Sequence, residues 1–410
     1  MNFNIFALSL IEERIKHHPT LEEILDRIIK AAQIGSIAFY PCSRCSNTIL
    51  KLLQQLSPET MSKTVGIFDN SPDAFAEAGI AVYPPTELTR FNPSLAAIIV
   101  TANVFYARET ERVTRLIDAA TPIINISAID LELAVADRSE LVAQIRDVTG
   151  LLADEKSRAA YLLAWLARLL NDENLTQLFA DDGESDVCSV NGTTLYKKYR
   201  LDNLPAEIVR ELNADVYSLK SIAAGSGDTV LDVGAFKGDT AIYFADLVGA
   251  SGKVFSFEPV KANFKDLVHN VRRNGLEGIV LPVNKGCGRT SGRFSIATAP
   301  HGSPWAFLSP DRGVEDIDVT TIDEFVAGER LERVDFIKLD VEGEEHEVIM
   351  GAEKTIAGFC PKMAVSLYHN LADLTALPLL LNSMAAYNLY VRCKMAGPWS
   401  IFLYCEPKEL

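Results

Sequence analysis

Two short stretches of this 410-residue chain hold the residue types that could do chemistry. Residues 229–238 read Thr-Val-Leu-Asp-Val-Gly-Ala-Phe-Lys-Gly, followed by Asp239 and Thr240. An apolar run of β-formers reaches Asp232 and Val233, glycines follow at Gly234 and Gly238, and a helical pattern starts at Thr240. The order predicts a strand, a glycine turn and a helix start. Glycine lets a ligand approach the backbone closely. A helix N-terminus turns unpaired N–H groups toward an anionic group. A second apolar run at 253–257 then delivers Glu258 and Pro259. An acid about twenty residues after the glycines can accept both hydroxyls of a ribose. The pair of stretches suits a nucleoside that carries an anionic group.

The second set of candidates stands at later strand ends. In an open α/β sheet, ligands bind outside the carboxyl ends of the strands. Residues 338–347 read Lys-Leu-Asp-Val-Glu-Gly-Glu-Glu-His-Glu. Alternation puts Lys338 and Asp340 on one side of a strand. Glu344, Glu345 and Glu347 open a helix, where acids match the dipole and need no functional reading. Asp340 and Glu342 crowd the strand end, as a general base, a metal ligand or a brace for the loop. His369 ends the next strand, and its ordinary pKa near 6.5 suits removal of a hydroxyl proton. Asp340, Glu342 and His369 could together hold a divalent cation, but their spacing does not demand one, and no metal is assigned.

The elements that must position these residues follow from periodicity. Residues 4–33 read as two helices broken at His17-His18-Pro19, with Thr20 and Glu23 as a capping box. Between 36 and 126 strands alternate with helices: strands at 36–40, 64–68, 80–83, 95–101 and 122–126, helices at 47–56, 72–77 and 107–119. That is a small Rossmann-like α/β domain. Its first βα turn is Pro41-Cys42-Ser43-Arg44-Cys45-Ser46, without the glycines that a pyrophosphate needs. Cys42 and Cys45 make a C-x-x-C at a helix start: a redox pair, half a metal site, or two small residues filling a turn. Leucines at helical spacing between 141 and 170 and a polar loop at 181–186 read as a helical connector. Helices are expected at 205–212 and 216–223. Past Glu258 come a helix at 262–274, a strand at 279–283 and a hairpin at 286–298, with Ser303-Pro304-Trp305 in a loop beyond it. A helix at 321–327, a strand at 334–339, a helix at 344–356, a strand at 363–367 and a helix at 372–387 follow. Two final strands, 389–394 and 399–405, pair through a Gly397-Pro398 turn. This predicts a seven-stranded doubly wound sheet. The expected domains are 1–130, a connector at 131–200, and 201–410.

The totals exclude several classes. Hydrophobic residues make up 48% and charged residues 23%, a core-forming composition. A net charge of −16 argues against nucleic acid or an anionic membrane surface as the main partner. Seven cysteines, an odd number, do not read as a disulfide framework, so a reducing, cytoplasmic setting is expected. The N-terminal residues lack a basic n-region and a small-residue cleavage site, and no secretory signal is expected. No uncharged apolar stretch is long enough to span a bilayer. A homo-oligomer is compatible with the sequence.

The dinucleotide pattern G-x-G-x-x-G is missing from both sheet regions, which disfavours NAD. S-adenosylmethionine, with a carboxylate and no pyrophosphate, fits better. Its expected site is Asp232, Gly234, Ala235, Gly238, Glu258 and Pro259. The third strand of the later sheet ends at Val283-Asn284-Lys285-Gly286, with no acid to hold an adenine amine, so Asn284 or a backbone group has to serve.

Asp232-Val-Gly-Ala-Phe-Lys-Gly-Asp-Thr, Phe257-Glu-Pro and Asp335-Phe-Ile-Lys-Leu-Asp-Val-Glu-Gly-Glu-Glu, with Val348-Ile-Met-Gly-Ala, resemble the FkbM family of S-adenosylmethionine-dependent methyltransferases. The resemblance spans about the last half of the chain. It implies a class I methyltransferase domain that methylates a hydroxyl oxygen of a sugar or natural-product-like acceptor, a small molecule or a glycan. It also implies that Gly234 cradles the methionine end, Glu258 holds the ribose and Asp340 lies near the transferred methyl. The region ahead resembles the small Rossmann-like domain that some members carry; it is expected to shape acceptor binding or assembly. The rival reading is a non-catalytic binding or scaffold protein that keeps the fold; intact Gly234, Gly238 and Glu258 argue against it.

Overall fold

The computed structural model describes residues 3–41, 44–69, 80–91, 94–102, 107–117, 120–172, 175, 189–190, 193–204, 206–298, 306–308, 315–395 and 400–408. The chain divides into two compact units, residues 1–146 with 162–175 and residues 147–161 with 176–410.

In the first unit, strands β1 (Ser36–Tyr40), β2 (Thr64–Phe68), β3 (Val82–Tyr83), β4 (Leu95–Ala102) and β5 (Ile123–Ser127) form a parallel sheet in the order β3-β2-β1-β4-β5. Both faces are covered, as the near-continuous apolar strands require. Ile37 and Phe39 pack to one side and Ala38 and Tyr40 to the other. Thr20 and Glu23 make the expected capping box on helix Leu21–Ile34. His18 serves the fold: its Nε2 lies 3.0 Å from Asp130 Oδ1, and its carbonyl accepts from Arg138 at 2.7 Å. Cys45 is buried with its thiol toward the Ile126 carbonyl. Cys42, the other half of the C-x-x-C, lies outside the described residues, as do the helix expected at 72–77, the loops at 181–186 and 303–305 and the turn at 397–398.

The second unit opens with a surprise. Strands β6 (Ser189–Val190), β7 (Thr193–Tyr196) and β8 (Tyr199–Asp202) form an antiparallel sheet inside the stretch expected to be a helical connector. Each strand is too short to show a period. They hold because Tyr196, Tyr199 and Leu201 reach the main core. Asp246 also ties down the β7–β8 turn, accepting from Lys197 at 2.8 Å and from Tyr199 at 2.9 Å.

Eleven further strands are described: β9 (Thr229–Val233), β10 (Lys253–Phe257), β11 (Val280–Val283), β12 (Gly286–Cys287), β13 (Gly292–Thr298), β14 (Ala306–Leu308), β15 (Glu315–Thr320), β16 (Phe336–Leu339), β17 (Lys362–Ser366), β18 (Tyr387–Cys393) and β19 (Ile401–Pro407). Seven make the expected sheet, in the order β11-β10-β9-β16-β17-β19-β18. All pairings are parallel except those of β19, which runs antiparallel between β17 and β18. From β9 the chain goes out to β10 on one side and later returns to β16 on the other. A doubly wound sheet opens its ligand crevice at that switch point.

Three local expectations are corrected. Residues 216–223 are not a helix. Asp215 and Lys220 take φ of 55° and 53°, which halts helix propagation, and Leu219 and Ile222 exchange backbone hydrogen bonds of 2.9 and 2.8 Å. The helix expected at 344–356 is two, Glu345–Met350 and Glu353–Phe359, split around Gly351 where another backbone crosses. The hairpin expected at 286–298 does not close on itself. Strands β12 and β13 each pair with β15 instead, in a four-stranded sheet ordered β12-β15-β13-β14.

Candidate active site

A cavity of about 390 Å³ opens at the carboxyl ends of β9, β10 and β16. Gly234, Phe236, Asp239, Glu258 and Pro259 line one side, and Asp340, Glu342, Tyr368 and His369 another. Ile296, Ile317 and Val319 of the four-stranded sheet give it an apolar wall.

Gly234 is required by close approach. Its φ is +85°, and a Cβ there would stand 1.8 Å from the Asp340 carbonyl oxygen. The turn after β9 thus presses directly on the end of β16. Lys338, almost fully buried, locks the two together: its Nζ donates to the Gly234 carbonyl at 2.5 Å and lies 3.6 Å from Asp232 Oδ1. Asp232 itself is sealed inside. Its carboxylate accepts from Thr240 at 2.8 Å and Ser256 at 3.1 Å, so it braces the turn and does not reach the cavity. Ala235 and Gly238 also lie behind the wall, Ala235 donating its N–H to the Phe257 carbonyl and Gly238 capping helix Asp239–Val248. Asn284 is likewise off the wall; its amide donates to the Glu258 and Pro259 carbonyls at 2.8 and 3.2 Å. Of the expected cofactor residues, Gly234, Glu258 and Pro259 face the cavity and the other four support them.

Glu258 is buried, and burial pushes its carboxyl up to about 8, against the Val260 N–H that it accepts at 2.9 Å. Asp239, the first residue of its helix, is pushed by burial to about 7, and its Oδ1 meets no hydrogen-bond donor. An orphaned buried carboxylate oxygen on a cavity wall calls for a cationic or N–H-bearing ligand. These two acids fit the ribose and ammonium ends of S-adenosylmethionine, and the Gly234 turn leaves the backbone bare beside them.

Asp340 is the centre of the opposite wall. The Tyr217 hydroxyl donates to its Oδ2 and the Tyr368 hydroxyl to its Oδ1, both at 2.9 Å. Burial alone would raise its pKa, but Lys338, His369 and the two hydroxyls lower it, so Asp340 is a carboxylate. His369 Nε2 lies 3.5 Å from Asp340 Oδ1 and 3.6 Å from Glu342 Oε2, and its Nδ1 lies 2.9 Å from Glu345 Oε1. Burial opposes a charge on this ring, but Glu345, Asp340 and Glu342 outweigh it and hold the imidazole protonated up to about 10. His369, expected as a general base, thus faces three carboxylates that favour its protonated form when no cation lies between them. Burial raises Glu342 to about 7. Its φ of 59° is unusual for a residue with a side chain, and Asn370 clamps this turn by donating to the Gly343 carbonyl at 3.1 Å.

Several residues here escaped the sequence reading. Glu211, on helix Ala206–Asn213, lines the cavity and is raised to about 8 by burial and by nearby Asp340. Tyr217 was hidden in a segment misread as helix. Glu345 is more than a dipole partner: it is fully buried and accepts from the Val341 N–H at 2.8 Å. Only the closing of β16 against β17 reveals its role.

The sheet order, the switch-point cavity and the glycine turn define a class I methyltransferase fold. A family model described as the methyltransferase FkbM domain matches residues 232–385, which lie within the second unit. Over 145 residues the chain is 30% identical to the hexuronic acid methyltransferase AglP of Haloferax volcanii. That alignment covers 35% of this chain and 58% of AglP, so the chain spans little more than half the length of this curated relative. The crystal structure of methyltransferase FkbM from Methylobacillus flagellatus KT superposes with a TM-score of 0.59, covering 98% of this chain and 99% of that one. Its 15% identity makes the likeness one of fold alone. Among the described residues no helix is long and apolar enough to cross a membrane.

Proposed function

We propose that residues 201–410 transfer the methyl group of S-adenosylmethionine to an oxygen of a sugar or natural-product-like acceptor. One observation carries the reading: Glu258, buried, and Asp340, half-buried, have different partners and face one cavity across the Gly234 turn. The hexuronic acid methyltransferase relative supports a sugar-like acceptor.

S-adenosylmethionine supplies a methyl group activated on a positively charged sulfur. The chain supplies everything else. Glu258 accepts the ribose hydroxyls, and the free Oδ1 of Asp239 accepts from an ammonium group. The wall carries the acids Glu211, Asp239, Glu258, Asp340, Glu342, Glu344 and Glu347 beside the bases Lys285, Arg289, Lys338 and His369, and a cationic ligand favours the ionised form of the carboxyls that burial has raised. Asp340 takes the proton of the acceptor hydroxyl, with Glu342 beside it. Tyr217, Tyr368 and His369 fix the carboxylate so that the oxygen is held in line with the methyl. Such alignment can contribute several orders of magnitude to a rate.

Thermal unfolding with S-adenosylhomocysteine, with NAD as control, tests the reading. A ligand at a hundred times its Kd stabilises by about 2.7 kcal/mol. A shift with S-adenosylhomocysteine alone, lost in Glu258→Ala, is expected. No shift at saturating ligand would sink the mechanism and favour a non-catalytic binding role.

A further inference from the structure

Behind the cavity wall stands a group that the methyl-transfer reading does not use. Glu345 is fully buried, and its Oε2 has no hydrogen-bond partner. Its Oε1 lies 2.9 Å from His369 Nδ1, an ion-pair distance, though Nδ1 makes no well-aligned hydrogen bond. A fully buried carboxylate oxygen without a partner is costly to the fold and calls for one. An imidazole nitrogen and a carboxylate this close, off the line of a hydrogen bond, can converge on one ion in place of the ring proton.

A third donor completes the set. Donor atoms of Asp340, Glu345 and His369 all lie within 4.8 Å of one another. Ligands at about 2.1–2.2 Å from an octahedral ion stand about 3.0 Å apart when adjacent and about 4.3 Å when opposite. A contraction of a few tenths of an ångström therefore gathers the three around one ion. Although both Asp340 oxygens accept tyrosine hydroxyls, each keeps a lone pair. Glu345 closes the set from behind, whereas Asp340 and His369 stand on the cavity wall, so the remaining positions open toward the cavity.

We propose that Asp340, Glu345 and His369 bind a divalent transition-metal cation of the manganese or cobalt kind, whose open positions face the cavity and take two adjacent oxygens of the acceptor. The two carboxylates suit a hard ion such as manganese, and the imidazole favours a transition metal over calcium and magnesium, which prefer all-oxygen shells. The acceptor class is then a vicinal diol or a hydroxy acid, which binds a cation through both oxygens. That part rests on the methyl-transfer reading; the metal site does not.

The test uses the full chain and Mn²⁺ alone. Free Mn²⁺ is followed by electron paramagnetic resonance, in the presence of 5 mM-scale Ca²⁺ (about that level, to saturate surface acids). One Mn²⁺ per chain is expected, weakened at least tenfold in Asp340→Asn and in His369→Gln and unchanged in Glu332→Gln, an exposed acid elsewhere in the unit. Circular dichroism and S-adenosylhomocysteine binding confirm that each variant is folded. Glu345→Gln gives a second reading of the same site should either variant unfold. No Mn²⁺ bound under calcium, or binding that folded Asp340→Asn and His369→Gln both leave intact, overturns the proposal. S-adenosylhomocysteine bound without Mn²⁺ removes the metal and leaves the methyl-transfer reading standing; Mn²⁺ bound without S-adenosylhomocysteine does the reverse.

Discussion

The carbonyl oxygen of Asp340 occupies the space in which any side chain on Gly234 would have to stand, 1.8 Å from the position of its Cβ. The turn proposed to cradle the cofactor and the strand end that carries the proposed base are therefore one mechanical unit. Gly234→Ala must either move Asp340 or unwind the turn. The φ of +85° adds about 1–2 kcal/mol for an L side chain. We expect a clear drop in the urea midpoint and at least tenfold weaker S-adenosylhomocysteine binding, by calorimetry. Wild-type affinity in this variant would show that the contact does not shape the site.

Asp340→Asn keeps the shape and removes the charge. Loss of a positioned base reduces turnover by about 10²–10⁴-fold. With a panel of hexuronic acids, hexoses and their glycosides and isotopically labelled methyl donor, mass spectrometry gives the turnover of the best acceptor. The expected signature is a fall in kcat with S-adenosylhomocysteine affinity within a few-fold of wild type. Glu342→Gln should be milder, since its carboxyl is raised to about 7 and lacks the two tyrosine hydroxyls. If Glu342→Gln is the more damaging of the two, the base has been misassigned.

How much of this was written in the chain depends on the range of the interaction. The strand-turn-helix at 229–248 is local, and its glycines and apolar run marked it. The seven strands were found to within a few residues because each is a dense β-forming run. Strands β6 to β8 were missed because their apolar residues meet their partners only across the tertiary fold. Strand β15 draws β12 and β13 apart from the hairpin that their turn residues suggest. The candidate site was legible as a set of strand-end acids, since the switch point follows from topology. The charge state of His369 was not: it is set by Glu345, Asp340 and Glu342, which come together only when two βα turns fold against each other.

Away from the cavity, Asp154 and Arg392 tie the start of helix Glu155–Leu170 to β18. Arg392 donates to Asp154 at 2.6 and 3.2 Å and to Ser157 at 2.6 Å, with its own side chain 3% exposed. Breaking a buried pair by removing one partner costs about 3–5 kcal/mol. Asp154 is itself 32% exposed, so solvent screening places Asp154→Asn nearer about 1–3 kcal/mol. The pH dependence follows the depressed carboxyl: burial would raise it, but Arg392 and Ser157 bring it down to about 2. Its contribution is complete above the ordinary value of 3.8 and is lost as pH falls through about 2. Chemical denaturation at pH 7 and pH 2 should show a difference between wild type and Asp154→Asn that shrinks in acid. An equal difference at both pH values would mean that the pair's charge does not matter.

Glu258 titrates in the opposite sense. Burial raises its carboxyl to about 8, so the folded, unliganded domain holds it protonated at neutral pH. Relative to the unfolded chain, this favours the fold at low pH, and the advantage fades as pH rises from the ordinary carboxylate range through about 8. Ribose hydroxyls donate to a carboxylate, so ligand binding favours the ionised form and must release a proton. S-adenosylhomocysteine affinity should therefore rise between pH 6 and 8, up to about tenfold per unit, and level off above about 8. Calorimetry in two buffers of different ionisation enthalpy should register the proton at pH 7. Glu258→Gln should remove the part of the profile centred near 8 and leave the part that Asp239 contributes near 7. A flat profile in the wild type would separate Glu258 from the ribose and leave the Gly234 turn and Asp239 to hold the cofactor.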